Sequence, residues 1–245
     1  MSDLVSPMSL NLGAPAGEPA PFTREQFARD PGQVLSRGRW ANAVLYLHRR
    51  DGACWVVKDF RSSGFAVRNT IGRFLIRREM RALRSVAGIE GVPAGAFRLD
   101  AHALAYRFVP GVTLKRAGLG EHAADFFVQL ERVLMQVHAL GRIVHLDVRN
   151  ARNVLVTERG EPLLLDFQSA ISTRWMPGRL RRLAERVDLG GVYKHWQRSA
   201  PESLDEARAG LLSRANRWRA LWPVHGYFGR GKRAREARTA ERGPE

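Results

Sequence analysis

The segment Ile143-Val144-His145-Leu146-Asp147-Val148-Arg149-Asn150-Ala151-Arg152-Asn153-Val154-Leu155-Val156, with Leu163-Leu164-Leu165-Asp166-Phe167-Gln168 behind it, constrains this chain more than any other. Each part sets one Asp beside a short apolar strand. The strands, 154–156 and 163–165, flank the turn Arg159-Gly160-Glu161-Pro162. A carboxylate at the exit of a buried strand is costly unless a cation meets it. The layout is the one that phosphoryl transfer from a nucleotide requires. One carboxylate orients an acceptor hydroxyl, and a second, with an amide oxygen, holds magnesium.

Upstream, two strand-like runs, Ala43–Leu47 and Cys54–Val57, are joined through Arg49-Arg50-Asp51-Gly52, and Asp-Gly is a hairpin signal. Residues 67–87 carry a helical period. A second strand pair is expected between Ala94 and Val109, turning at Leu99-Asp100-Ala101-His102, and Pro110-Gly111 breaks the pattern. Residues 121–140 repeat apolar side chains at three and four: Phe126, Phe127, Leu130, Val133, Leu134, Val137 and Leu140. After Asp166 the chain reads as mostly helical and basic. The order predicts an α+β fold of two lobes, the first β-rich and small, the second mainly helical. The expected boundaries are a flexible tail at 1–22, the first lobe at 23–109, the second at 110–228 and a basic tail at 229–245.

A single Cys, Cys54, excludes an intrachain disulfide and cysteine-only metal sites. No basic start followed by an apolar run opens the chain, and no apolar stretch approaches the roughly 20 residues of a spanning helix. A cytoplasmic protein is expected, with peripheral contact at an inner membrane as the alternative. The net charge is +16, and only four of the 40 basic residues are Lys. Most of that arginine reads as solvated surface. The sharper reading is a surface for anionic lipid, a phosphorylated sugar or, less favoured, nucleic acid. Trp175-Met176, Trp218, Trp222 and Phe228 lie among arginines, which fits either helix packing or interfacial anchoring.

Lys58 ends the run Trp55-Val56-Val57. It reads as an edge lysine until Glu79 is considered. Glu79 lies four after Leu75 and four before Leu83, on a stripe read as Ile71, Leu75, Leu83 and Val86. A carboxylate on an apolar face must be paired, and Lys58 is the partner expected, with Arg77, Arg78 and Arg81 pointing elsewhere. A lysine held in this way supplies a fixed charge for nucleotide phosphates. Asp147 can accept the proton of an acceptor hydroxyl. Arg149 can neutralise a migrating phosphoryl group, and Asn153 and Asp166 offer oxygens to magnesium. His145 reads as a loop organiser.

With these residues in place, the chain resembles the protein-kinase-like superfamily. It is most similar to the compact atypical branch of bacterial RIO-like serine/threonine kinases and lipopolysaccharide core sugar kinases, over roughly residues 33–200. Val56-Val57-Lys58 and Glu79 look like the nucleotide-anchoring pair. Leu35-Ser36-Arg37-Gly38-Arg39-Trp40-Ala41-Asn42-Ala43 looks like a glycine-rich loop reduced to Gly38. Tyr106-Arg107-Phe108-Val109-Pro110-Gly111 looks like the interlobe hinge, so the resemblance implies nucleotide contacts from Gly38, Phe108 and Val109. His145-Leu146-Asp147 resembles the catalytic loop, Asp166-Phe167-Gln168 the metal-binding triplet, and Asp188 the buried Asp that supports the loop from a later helix.

The departures shape the expected function. Arg152 stands where the family carries its metal-binding Asn. Asn153 is chosen in its place, over Asn150, because it directly precedes its strand. Leu146 replaces the Arg that reads a phosphorylated activation loop, and no Ala-Pro-Glu lies between Asp166 and Asp188. The resemblance thus implies an ATP- and Mg2+-dependent kinase, expected to be a RIO-like serine/threonine protein kinase. The alternatives are a lipopolysaccharide core sugar kinase and a catalytically degenerate nucleotide-binding module.

Overall fold

The computed structural model describes residues 20–38 and 43–221. Its first part is a five-stranded antiparallel sheet built from β1 (Gln33–Ser36), β2 (Val44–Arg50), β3 (Ala53–Asp59), β4 (Phe97–Arg98) and β5 (Ala103–Arg107), in the order β1-β2-β3-β5-β4. The β2–β3 hairpin turns where the sequence signals it: Asp51 and Gly52 both adopt positive φ, at 48° and 72°, as a tight hairpin with a right-handed twist requires. Ahead of the sheet, α1 (Arg24–Arg29) starts at a capping box in which Thr23 and Gln26 satisfy each other's backbone N–H. Phe22, the last residue of the stretch read as a tail, is buried. Its ring packs against His48, Trp55 and Phe97, at 4.4, 5.8 and 5.1 Å.

One long helical run crosses the sheet. It comprises α2 (Phe65–Val67), a π turn at Arg68–Gly72 and α3 (Arg73–Ser85). The π turn corrects the expected stripe. A wider turn inserts one residue into the helical period, so residues before it fall out of phase with those after it. Ile71, within the turn, is therefore 46% exposed; beyond it Leu75 is half-buried, and the buried face of α3 is Ile76, Glu79, Met80, Ala82 and Leu83. Gly72 closes the turn against Phe60, where a Cβ would stand 2.9 Å from the ring.

The second part is mainly helical. α4 (Ala123–Ala139) buries the apolar face read from its sequence, from Phe126 to Val137. Leu140 is the exception: it caps the C-terminus of α4 and is exposed. Behind α4 come β7 (Ile143–Val144), the hairpin β8 (Val154–Thr157) and β9 (Pro162–Leu164), then β10 (Ile171–Ser172), α5 (Gly178–Ser199) and α6 (Glu206–Leu221). Pro110-Gly111 does not end strand structure. Gly111 opens β6 (Gly111–Thr113), which pairs with β8, and its missing Cβ lets the strands close, since a side chain there would strike the Val156 carbonyl. A two-stranded ribbon of β7 and β10 was not legible in the sequence.

A single large core links both parts, running from Val56 and Ile76 through Leu104, Phe127 and Leu164 to Trp196. Among the described residues, no helix is long and apolar enough to cross a membrane.

Candidate functional site

Where the sheet meets the β8–β9 hairpin, three charged side chains converge. Lys58 lies on β3, a central strand between β2 and β5, and is buried; the reading of it as an edge residue fails on that placement. Its ammonium donates to Glu79 Oε1 at 2.6 Å and to Asp166 Oδ1 at 2.9 Å. Glu79 comes from α3 and is also buried. Asp166 leaves β9 through Leu165 with a left-handed backbone, φ 63°, and stays partly open to solvent. One cation thus ties a carboxylate from each part of the fold.

The electrostatics follow from burial and this pairing. Burial opposes a charged Lys58, but Glu79 and Asp166 outweigh it and its pKa moves up. Burial lifts Glu79 above the ordinary carboxylate range against the pull of Lys58. For Asp166 burial is overcome by the Lys58 charge and hydrogen bond, and its pKa falls. Tyr106, buried beside them on β5, has its phenol pushed up to about 12, chiefly by burial.

The loop between β7 and β8 carries Asp147, and its shape is held from α5. Asp188 is buried and accepts the backbone N–H groups of His145 at 2.5 Å and Leu146 at 2.7 Å, and His138 Nε2 donates to it at 3.1 Å. Leu146 is thereby kept at φ 65°, a conformation that costs a leucine about 1–2 kcal/mol. His145 uses both ring nitrogens. Nδ1 accepts the Asp147 N–H at 3.2 Å, so Nε2 carries the proton and donates to the Leu165 carbonyl at 2.9 Å. This imidazole is fully buried against Phe167. It joins the Asp147 loop to the strand that delivers Asp166.

Asp147 is half-buried. Burial raises its pKa, opposed by hydrogen bonds from Asn153 and Asn150. The two aspartates are therefore pushed in opposite directions, a pattern that separates a proton acceptor from a permanently ionised group. Asn153 is buried, and its Nδ2 donates to Asp147 Oδ2 at 2.8 Å. Its carbonyl accepts from the Leu165 N–H at 2.7 Å. Asn150 is exposed and donates to Asn153 Oδ1 at 3.3 Å. Arg149 reaches across to α5, with Nη1 donating to the Gly190 carbonyl at 3.3 Å. His195 on α5 donates to the Val148 carbonyl at 3.1 Å, and burial depresses its pKa to about 4.

Among the described residues no group of three or more His, Cys, Asp and Glu forms a cation cage. Asp166 and Asn153 together offer one carboxylate and one amide oxygen. That donor set suits magnesium, which keeps several waters and takes its remaining ligands from phosphate oxygens. Phe108 and Val109 lie half-buried between β5 and β6, with the Phe108 N–H donating to the Cys54 carbonyl at 3.0 Å. Gly38 follows β1, and residues 39–42 of the one-glycine loop lie outside the described residues, as do Trp222, Phe228 and the basic stretch 229–245. Trp175, between β10 and α5, is 96% exposed.

One contact escaped the sequence. Arg78 points neither to Glu79 nor to solvent; its Nε and Nη2 donate to the carbonyls of Ala170 and Ser169 at 3.0 and 2.7 Å. It fastens α3 to the segment that follows Asp166. Only the neighbouring Glu79, whose burial fixes the orientation of α3, could have signalled it. Replacing Arg78 with Ala is expected to cost about 1–2 kcal/mol of stability in urea denaturation, because two partly buried carbonyls lose charged donors. Unchanged stability would show that the clamp carries no weight.

No protein-family model matches the chain, and no curated protein matches it.

Proposed function

We propose that this chain is an ATP- and magnesium-dependent phosphotransferase with a two-lobed, protein-kinase-like fold, and that it acts as a compact RIO-like serine/threonine protein kinase. The observation that carries the reading is the junction of Lys58 with Glu79 and Asp166, set beside a loop that presents Asp147. A permanently charged lysine fixed between two carboxylates is a point charge for the phosphate oxygens of a nucleotide. Glu79 holds it in place. Gly38, Phe108 and Val109 are assigned to contacts with the nucleotide. Asp166 and Asn153 would hold magnesium, which when bound neutralises charge on the phosphates.

The chemistry assigned to the chain is simple. The acceptor hydroxyl oxygen bonds to the γ-phosphorus of ATP as the bond from that phosphorus to the β–γ bridging oxygen breaks. The hydroxyl proton passes to Asp147, whose carboxylate is oriented by Asn153 and whose raised pKa suits a proton acceptor. ADP leaves with the bridging oxygen. Asp188, His138 and His145 position the loop and touch no reacting atom in this scheme. Arg149 sits on the same loop; its guanidinium rests on the Gly190 carbonyl of α5 and would turn from there to neutralise the transferred group.

One observation favours a different acceptor. Between Asp166 and α5 the chain makes only a 3-10 turn and β10, which pairs back onto β7. That leaves little surface for an extended peptide, so a sugar hydroxyl of a lipopolysaccharide core is the second reading. Incubation with γ-phosphate-labelled ATP and either cell lysate or purified lipopolysaccharide distinguishes them. Label in protein bands supports the first reading, and label in lipopolysaccharide the second. Absence of ATP turnover with every acceptor would leave a nucleotide-binding module. A companion test concerns the amide ligand: Asn153→Ala should raise the magnesium concentration needed for half-maximal turnover at least about tenfold, and Asn150→Ala much less. The reverse order would assign the metal to Asn150.

A further inference from the structure

α3 carries five arginines in thirteen residues and a single acid, Glu79, which is buried against Lys58. Arg78 is committed to the carbonyls of Ser169 and Ala170. The remaining four, Arg73, Arg77, Arg81 and Arg84, are exposed, and at 100° per residue they fall, with Phe74, within an arc of about 100°. Among the described residues none of the four has a carboxylate partner. Asp59 and Asp100 both pair with Arg24. Arg98 on β4 closes one side of a shallow hollow of about 200 Å3 that Arg77, Met80, Arg81 and Arg84 line. Four arginines therefore line one concavity with no acidic residue among its lining residues.

The same helical run exposes apolar groups where a solvated charged face would have none. Phe74 is 59% exposed and Phe65 is 74% exposed, and Ile71 stands out on the π turn between them. Arginines lie over both rings, Arg68 at 5.5 Å from the Phe65 centroid and Arg78 at 6.0 Å from that of Phe74. A helix with arginine and large apolar residues side by side matches a surface that offers phosphate and hydrocarbon together.

We propose that the exposed face of the α2–π–α3 run, from Phe65 to Arg84, is a docking surface for an anionic phospholipid membrane, with lipid phosphate seated in the arginine hollow and Phe65, Ile71 and Phe74 entering the acyl boundary. Charge complementarity selects an anionic partner. Ile71 selects the lipid over a nucleic acid, because an aliphatic side chain gives a base nothing to stack on, while hydrocarbon accepts it. The arginine arc of this surface lies on the face of α3 opposite Glu79. It does not rest on phosphoryl transfer, and its test reads no turnover.

The test is co-sedimentation of the full chain with vesicles of equal parts phosphatidylglycerol and phosphatidylcholine at physiological salt, with pure phosphatidylcholine vesicles as reference. Binding to the anionic vesicles alone is expected. R77E/R81E should weaken it about a hundredfold or more, since four units of charge change at the surface. R179E/R182E, an equal change at exposed arginines of α5, should alter it less than about threefold. Phe74→Ser should weaken binding about five- to tenfold through lost apolar burial while leaving the melting temperature unchanged. Three outcomes overturn the proposal. One is equal loss in the two charge-reversal variants, which would make net charge the cause. Another is full binding by F74S together with equal competition by single-stranded RNA, which would make this a general polyanion surface. The third is full binding by R77E/R81E.

Discussion

Asp147→Asn is expected to reduce phosphoryl transfer about a thousandfold, within the range lost when a positioned general base is removed, while ATP affinity holds or rises slightly. The amide has the shape of the carboxylate, so the loop keeps its Asp188 anchors and its Asn153 contact. It has no useful basicity. It also removes a negative charge that repels the triphosphate. The wild-type pH profile follows from the same residue. Burial raises the Asp147 pKa, and only the ionised form accepts a proton. Transfer should therefore fall as pH drops, with a midpoint above the ordinary aspartate value of about 3.9. A profile flat down to that value, or an Asp147→Asn variant with undiminished transfer, would contradict the assignment.

Lys58→Met is expected to lower turnover at least about a hundredfold, through loss of a fixed positive charge at the phosphates. It should also destabilise the fold. Lys58 is the counter-ion of two carboxylates, and removing one partner from a buried pair costs about 3–5 kcal/mol. The loss should lie near about 2–4 kcal/mol here, because Asp166 is partly solvated and Glu79 can take up a proton. The sign with pH follows. Without Lys58 the folded-state pKa of Glu79 rises further above its unfolded value. The folded variant prefers the neutral acid and loses stability as pH rises through the neutral range. Urea denaturation at pH 5 and pH 8 should show the larger deficit at pH 8. An equal deficit at both would mean that Glu79 is not the group left unpaired.

Lys58, Glu79 and Asp166 were legible in the sequence because each breaks a local rule, whereas Asp147 and Asn153 were read from their spacing to His145 and to the strand at 154–156. A lysine in an apolar strand, a glutamate on an apolar helix face and an aspartate after three leucines are costly alone, so each points to a partner. The Asp51-Gly52 hairpin and the apolar face of α4 were legible because turn chemistry and a 3.6-residue period are local. What stayed hidden depends on distant chain or on departures from regular period. The π turn at 68–72 leaves no compositional mark, so Ile71 was expected inside and lies outside. Arg78 is one of five similar arginines, and only the tertiary position of Ser169 and Ala170 singles it out. The pairing of β6 with β8 joins residues more than forty apart in the chain. Phe22 followed a Pro- and Gly-rich stretch, and only the aromatic pocket of His48, Trp55 and Phe97 explains its burial.

In the proposed mechanism Asp147 and Asp166 do different work, the first on the acceptor hydroxyl and the second on the metal–nucleotide complex. Calorimetric titration of Mg-ATP into the Asp147→Asn and Asp166→Asn variants, beside the wild-type chain, separates the two roles. Wild-type or slightly tighter binding is expected for Asp147→Asn, and binding at least about tenfold weaker for Asp166→Asn, which lacks a charged metal ligand. Equal loss of Mg-ATP affinity in both variants, or no measurable Mg-ATP binding by the wild-type chain, would contradict that mechanism.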